Sequence, residues 1–144
     1  MKSADLKAKI TQAFPILGGS EVNLTDSTYS LPSKEWLTGE FSRIVQSEFQ
    51  TKGPSDDAWD CDDAALQAMV LARRANRQRG KQEGIAFGFV SGSLVGPLNG
   101  IQAGPHATNL VHCSDGNLYL YEPQNGQITL AADGFNLLPF LVLM

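Results

Sequence analysis

Apolar positions follow two regimes, a helical period up to about residue 80 and an alternating, strand-like period after it. Residues 3–14 place lysine and leucine at helical spacing, with Ser3 as the expected N-cap and Pro15 as the stop. Residues 16–30, with Gly18-Gly19 and many Ser, Thr, Asn and Asp, read as loop with at most a short strand. Ser33 caps a second helix carrying Trp36, Leu37, Phe41, Ile44, Val45 and Phe49, which Gly39 interrupts. Residues 51–57 contain Gly53-Pro54 and read as loop. The strongest helix spans 60–79, with apolar side chains around nearly its whole circumference, a pattern that predicts burial on all sides. Its acidic first turn (Asp60, Asp62, Asp63) and basic last turns suit the helix dipole, and Gly80 follows as the terminating glycine.

Beyond residue 80 the segments 85–90, 107–113, 118–122 and 127–131 read as strands between glycine-rich turns. A last strand over 135–143 contains Pro139, which favours an edge. Helices followed by an antiparallel sheet make an α+β fold, with a buried helix bearing a cysteine at its N-terminus packed on the sheet. The expected organisation is one domain over 1–144, helical over about 1–80 and sheet over about 84–144.

Composition narrows the function classes. Hydrophobic residues make up 42% and charged residues 18%, a globular balance. A net charge of −4 gives no basic footprint, so nucleic acid is not expected as a partner. No apolar run approaches the ~20 residues of a membrane helix, and residues 1–12 lack a secretory pattern. A soluble, cytoplasmic protein is therefore expected. Two cysteines, Cys61 and Cys113, are too few for a disulfide framework.

The candidate chemistry gathers around Cys61. Capping by Asp60 puts its thiol in the first turn of the long helix, near free amides, although Asp62 and Asp63 disfavour a thiolate. Ser114-Asp115-Gly116 fits a three-residue hairpin loop with Gly116 in the left-handed position. That register pairs Cys113 with Asn117 and Thr108 with Glu122. It puts His106, Thr108, Leu110 and His112 on one face with Leu118, Leu120 and Glu122. Glu122 then lies diagonal to His106. If the helix over 60–79 packs on the Leu110, Leu118 and Leu120 face, Cys61 lies beside His106. A two-residue loop would send His106 and Glu122 to opposite faces.

The segment Trp59-Asp60-Cys61-Asp62-Asp63-Ala64, with His106-Ala107-Thr108-Asn109 and Leu118-Tyr119-Leu120-Tyr121-Glu122-Pro123, resembles the papain-like and transglutaminase-like cysteine protease superfamily. The nearest resemblance within it is the C-terminal protease domain of the fairy-ring mushroom agglutinin and its bacterial and phage relatives. It covers about residues 55–131. The resemblance implies a papain-like fold and hydrolysis of a peptide or amide bond through an acyl-enzyme. Cys61 would be the nucleophile, His106 the base and Glu122 the residue that orients the imidazole. The glutamine that such enzymes place just before the cysteine is missing, Gln50 being the nearest. Ser55 is the substitute oxyanion donor, and Trp59 a candidate groove residue. No cofactor is required; calcium enters with the resemblance, on Asp56, Asp57, Asp62 and Asp63. The implied partner is a peptide or protein substrate, and a homodimer is one expected assembly. Two other readings stand beside the hydrolase: a non-catalytic protein-binding module of the same fold, and a thiol acyltransferase of transglutaminase type.

Overall fold

The computed structural model describes residues 1–18, 20–50, 60–133 and 136–144. The chain opens with α1 (Ser3–Ala13), then β1 (Val22–Asn23) and β2 (Tyr29–Ser30). Next come α2 (Lys34–Trp36), a π-helical turn (Leu37–Phe41) that contains Gly39, and α3 (Ser42–Gln50). The long helix α4 (Cys61–Gln78) leads into β3 (Gly84–Ile85), β4 (Phe87–Leu94), β5 (Gly104–His112), β6 (Leu118–Tyr121) and β7 (Ile128–Leu130). A short 3-10 turn (Ala131–Asp133) precedes β8 (Leu137–Leu143).

Local chemistry sets most of these boundaries. The Ser33 hydroxyl accepts the Trp36 N–H at 3.1 Å and starts α2. Asp60 caps α4 by accepting the Asp62 N–H at 3.3 Å. The far end of α4 closes with Gly80 at φ 75°: Gly80 donates to the Arg77 carbonyl and Lys81 to the Asn76 carbonyl. Ser3 does not cap α1. It is the helix's first residue, with Lys2 ahead of it, and its amide donates to the Ser27 carbonyl.

The architecture is α+β, with helices packed on a largely antiparallel six-stranded sheet of order β1-β8-β4-β5-β6-β7. The sheet is not purely antiparallel, because β1 runs parallel to β8, pairing Val22 with Val142 and Asn23 with Leu143. Strands β2 and β3 form a separate parallel pair. Among the described residues β1 flanks only the last part of β8. Pro139, which cannot donate to a ladder, sits in the unflanked part, opposite Gly92 and beside a register shift in the β4–β8 ladder.

Each face of the sheet has its own core. On one, Leu6 and Ile10 of α1 pack with Val90, Leu94, Leu110, Leu120 and Val142. On the other, Ala68, Leu71 and Ala72 of α4 join Trp36, Phe41 and Val45 over Phe87, Val111, Tyr119 and Tyr121. Two expectations are corrected here. The Leu110 and Leu120 face receives α1, not α4. Nor is α4 buried on all sides: Leu66 and Val70 are exposed.

Candidate functional site

The β5–β6 hairpin has the expected register. Cys113 donates to the Asn117 carbonyl, Gly116 stands at φ 88°, and Leu110 pairs with Leu120. His106 and Glu122 therefore meet across the strands, Nε2 to Oε2 at 2.8 Å, with the residues 6% and 1% exposed. Glu122 is held from several sides. Its Oε1 accepts the Gln124 N–H at 3.2 Å, and its backbone pairs with Gln127 and Gly126. Thr108, next on the same face, donates to the Tyr121 carbonyl at 2.6 Å. Gln46 of α3 donates to the Pro123 carbonyl at 2.8 Å, tying the following turn to the helical layer. The pair thus fixes the start of β5 against the β6–β7 turn.

Cys61 arrives from the other side of the sheet. Its sulfur accepts the backbone N–H of Ala107 at 3.4 Å, and the residue packs against the cluster of Ala65, Phe89 and Ala107. Strand alternation explains the contact: α4 covers the face that carries Ala107, Asn109 and Val111, whereas His106 belongs to the α1 face. Among the described residues no hydrogen bond joins the thiol to the imidazole. Partial burial pushes the Cys61 thiol above its ordinary value. The Ala107 N–H opposes the shift in part, and the nearby Asp60 and Asp62 charges reinforce it. The thiol is therefore neutral near neutral pH.

The acidic turn is a hydrogen-bonded set of caps. The Asp60 carboxyl is held low, chiefly by a hydrogen bond from Asp62, and the Asp62 carboxyl is raised by the same sharing. Asp63 lies in the same turn. Ser55, Asp56, Asp57 and Trp59, expected as oxyanion, calcium and groove residues, lie outside the described residues. Among the described residues no three or more His, Cys, Asp or Glu side chains gather as a metal site would require. His112 is buried, its Nδ1 at 3.1 Å from the Asn117 carbonyl, and Cys113 is fully buried with its thiol pushed up to about 12 by desolvation. One residue escaped the sequence reading. Asn109 donates to the Ala65 carbonyl at 2.8 Å and to the Gly88 carbonyl at 3.0 Å, locking α4 onto the sheet. An amide on the strand face that otherwise carries Ala107 and Val111 was its signal.

With this geometry in view, the comparisons with known proteins can be placed. Over its full length the chain superposes on a structure described as a "PSL1a-E64 complex", with a TM-score of 0.74 and 20% identity, covering 51% of that chain. Over 96% of its length it superposes on the Polyporus squamosus lectin bound to a human-type influenza-binding epitope, with a TM-score of 0.68 and 19% identity, covering 48% of that chain. The chain shares its fold with part of a lectin. It spans about half the length of these solved structures. No protein-family model and no curated protein matches it.

These matches correct the expected membership of a cysteine protease superfamily. The hydrolase reading, with Cys61, His106 and Glu122 as a catalytic triad, and the acyltransferase reading fall with it. The geometry agrees on physical grounds: burial and the neighbouring carboxylates raise the thiol, and among the described residues its hydrogen bond comes from an amide rather than the imidazole. Among the described residues no helix is long and apolar enough to cross a membrane.

Proposed function

We propose that the chain is a non-catalytic binding module that recognises a protein segment on the part of the sheet that α4 leaves uncovered. The supporting observation is the burial alternation along β4 and β8. Phe87 and Phe89, under α4, are buried, whereas Ser91 and Ser93, further along the same face, are half-exposed. Their partners on β8 are Leu141 and Leu138, both exposed apolar side chains, and Phe140 at the register shift is 58% exposed. Exposed apolar residues grouped on one surface mark interaction sites more often than isolated ones do. Cys61 and Leu143 both pack against the Ala65, Phe89 and Ala107 cluster that adjoins this surface. In this reading Cys61 is a rim residue, while His106 and Glu122 act from behind the sheet as positioning residues for the β5 end and the β6–β7 turn. One of the similar structures is a lectin bound to its epitope, which is in keeping with a recognition role for this chain.

Selection of a random-peptide phage library against the wild-type chain, with counter-selection against Leu141→Asp, tests the proposal. Enriched peptides should bind the wild type at least tenfold more tightly than the variant and should remain intact by mass spectrometry. Peptide cleavage that disappears in Cys61→Ser would overturn the non-catalytic reading. Equal binding to the variant would overturn the assignment of the surface.

A further inference from the structure

A second concave surface lies on the opposite side of the sheet, against α1. One cavity of about 390 Å³ is walled by Lys9, Gln12, Leu118 and Leu130. A second, of about 230 Å³, is walled by Phe14, Ile16, Leu137 and Pro139. Both are bounded by Ala13, Ala131 and Ala132, so they lie side by side at the C-terminal end of α1, with the small side chains of three alanines between them. The larger cavity falls within the size range of small-molecule sites, roughly 300–1,000 Å³.

The lining is strongly one-sided. Apart from Lys9, Gln12 and Asn117 its side chains are apolar or glycine, and among the described residues no acidic one lines either cavity. Lys9 makes no ion pair among the described residues. His112 lies behind this wall, paired with Leu118 across the hairpin, and the Lys9 charge helps keep its imidazole neutral. Among the described residues Lys9 is therefore the one positive group lining that end, and none lines the Ile16 end. A peptide laid here would bring an amide with every residue into a trough that offers few polar partners, and each unpaired amide is costly to desolvate. An unbranched hydrocarbon chain has no such groups, and a single carboxylate matches a single ammonium.

We propose that this trough binds a linear acyl carboxylate, its chain running past Ala13 and Ala132 toward Ile16 and its carboxylate on Lys9. This site meets the surface proposed for a protein partner at Leu138, which lines its Ile16 end, but its ammonium end at Lys9 and Leu118 lies apart from Ser91 and Leu141, and the proposal does not depend on that surface.

Titration of the full chain with dodecanoate, dodecanol and dodecylamine, each below micelle formation, tests the assignment by calorimetry and amide chemical shifts. Dodecanoate should bind most tightly and shift the amides of Lys9, Ala13, Leu118 and Ala132. Lys9→Gln should weaken it about fivefold, the size of a solvent-exposed ion pair, and leave dodecanol unchanged. Ala132→Trp, at an exposed position shared by both cavities, should weaken dodecanoate and dodecanol more than tenfold. Equal affinity for all three amphiphiles, shifts confined to Leu141 and its neighbours, or dodecanoate binding untouched by Ala132→Trp would each overturn the proposal. The peptide-binding Leu141→Asp variant should take up dodecanoate normally, so failure of one site is distinguishable from failure of the other.

Discussion

The His106–Glu122 pair offers the sharpest energetic test of the site. Glu122→Ala removes a carboxylate that is 1% exposed, leaving the imidazole nitrogen and the Gln124 N–H without their partner. Breaking one side of a buried pair costs about 3–5 kcal/mol when the groups are charged, and about 1–3 kcal/mol when a neutral buried group is left unsatisfied. Some relief comes from hydration of the new space, so a loss of about 3 kcal/mol is expected. That is a large part of the 5–15 kcal/mol typical of a domain. Urea unfolding followed by tryptophan fluorescence reads the change as a lower midpoint at unchanged slope. Glu122→Gln retains a carbonyl oxygen and should cost only about 1 kcal/mol. The double variant Glu122→Ala with His106→Ala should be less destabilised than the sum of the two, by about 2 kcal/mol. A Glu122→Ala cost under about 1 kcal/mol, or strict additivity in the cycle, would refute the view that this contact holds the β5 end in place.

Two further outcomes follow from the thiols. Alkylation of Cys61 by iodoacetamide should be slow at neutral pH, accelerate only above the ordinary thiol range, and keep the same profile in His106→Ala, because the raised thiol owes nothing to the imidazole; fast reaction near pH 6 that vanishes in His106→Ala would restore an ion pair and sink this account. Cys113 is protonated in both the folded and unfolded chain below the ordinary thiol value, so its contribution is complete there. As pH rises toward its folded value of about 12, the unfolded chain alone gives up the proton and stability falls by about 1.4 kcal/mol per pH unit. Cys113→Ala should flatten the stability curve between about pH 9 and 10, below the range in which Tyr121, also raised to about 12, adds its own loss. A slope in that window as steep as the wild type's would show that the loss comes from elsewhere.

The parts of the fold that local chemistry dictates were legible from residues alone. Asp60, Ser33 and Gly80 announce helix ends, and Ser114-Asp115-Gly116 sets a register that puts His106 against Glu122. What local pattern does not carry is pairing between distant short segments. Strand β1 has two residues, too few for a period, yet it adds a parallel edge to β8, each residue pairing with one 120 positions further along the chain. The parallel β2–β3 pair is equally short. Function was less legible than fold, since Cys, His and Glu in the right order suggest a chemistry that depends on which side of the sheet each one reaches.

That last point turns on side-chain size. Strand alternation assigns Leu110 and Leu120 to one face and Val111, Tyr119 and Tyr121 to the other, but does not say which helix takes which. Both α1 and α4 have an apolar side. The buried residues of α4 are mostly alanine: Ala64, Ala65, Ala68, Ala72 and Ala75. Such a flat helix can lie close to a sheet whose residues are large, and the face with Phe87, Phe89, Tyr119 and Tyr121 supplies them. The Leu110 and Leu120 face needs branched aliphatic partners to fill its space at the density of a protein interior, and Leu6 and Ile10 of α1 provide these. Small against large and medium against medium therefore selects the helix for each face. Once α4 lies on the aromatic side, Cys61 is carried to the Ala107 amide, while the His106 imidazole is paired with Glu122. The raised thiol thus follows from core packing, since the alanine face of α4 sets where Cys61 is buried and which amide it meets.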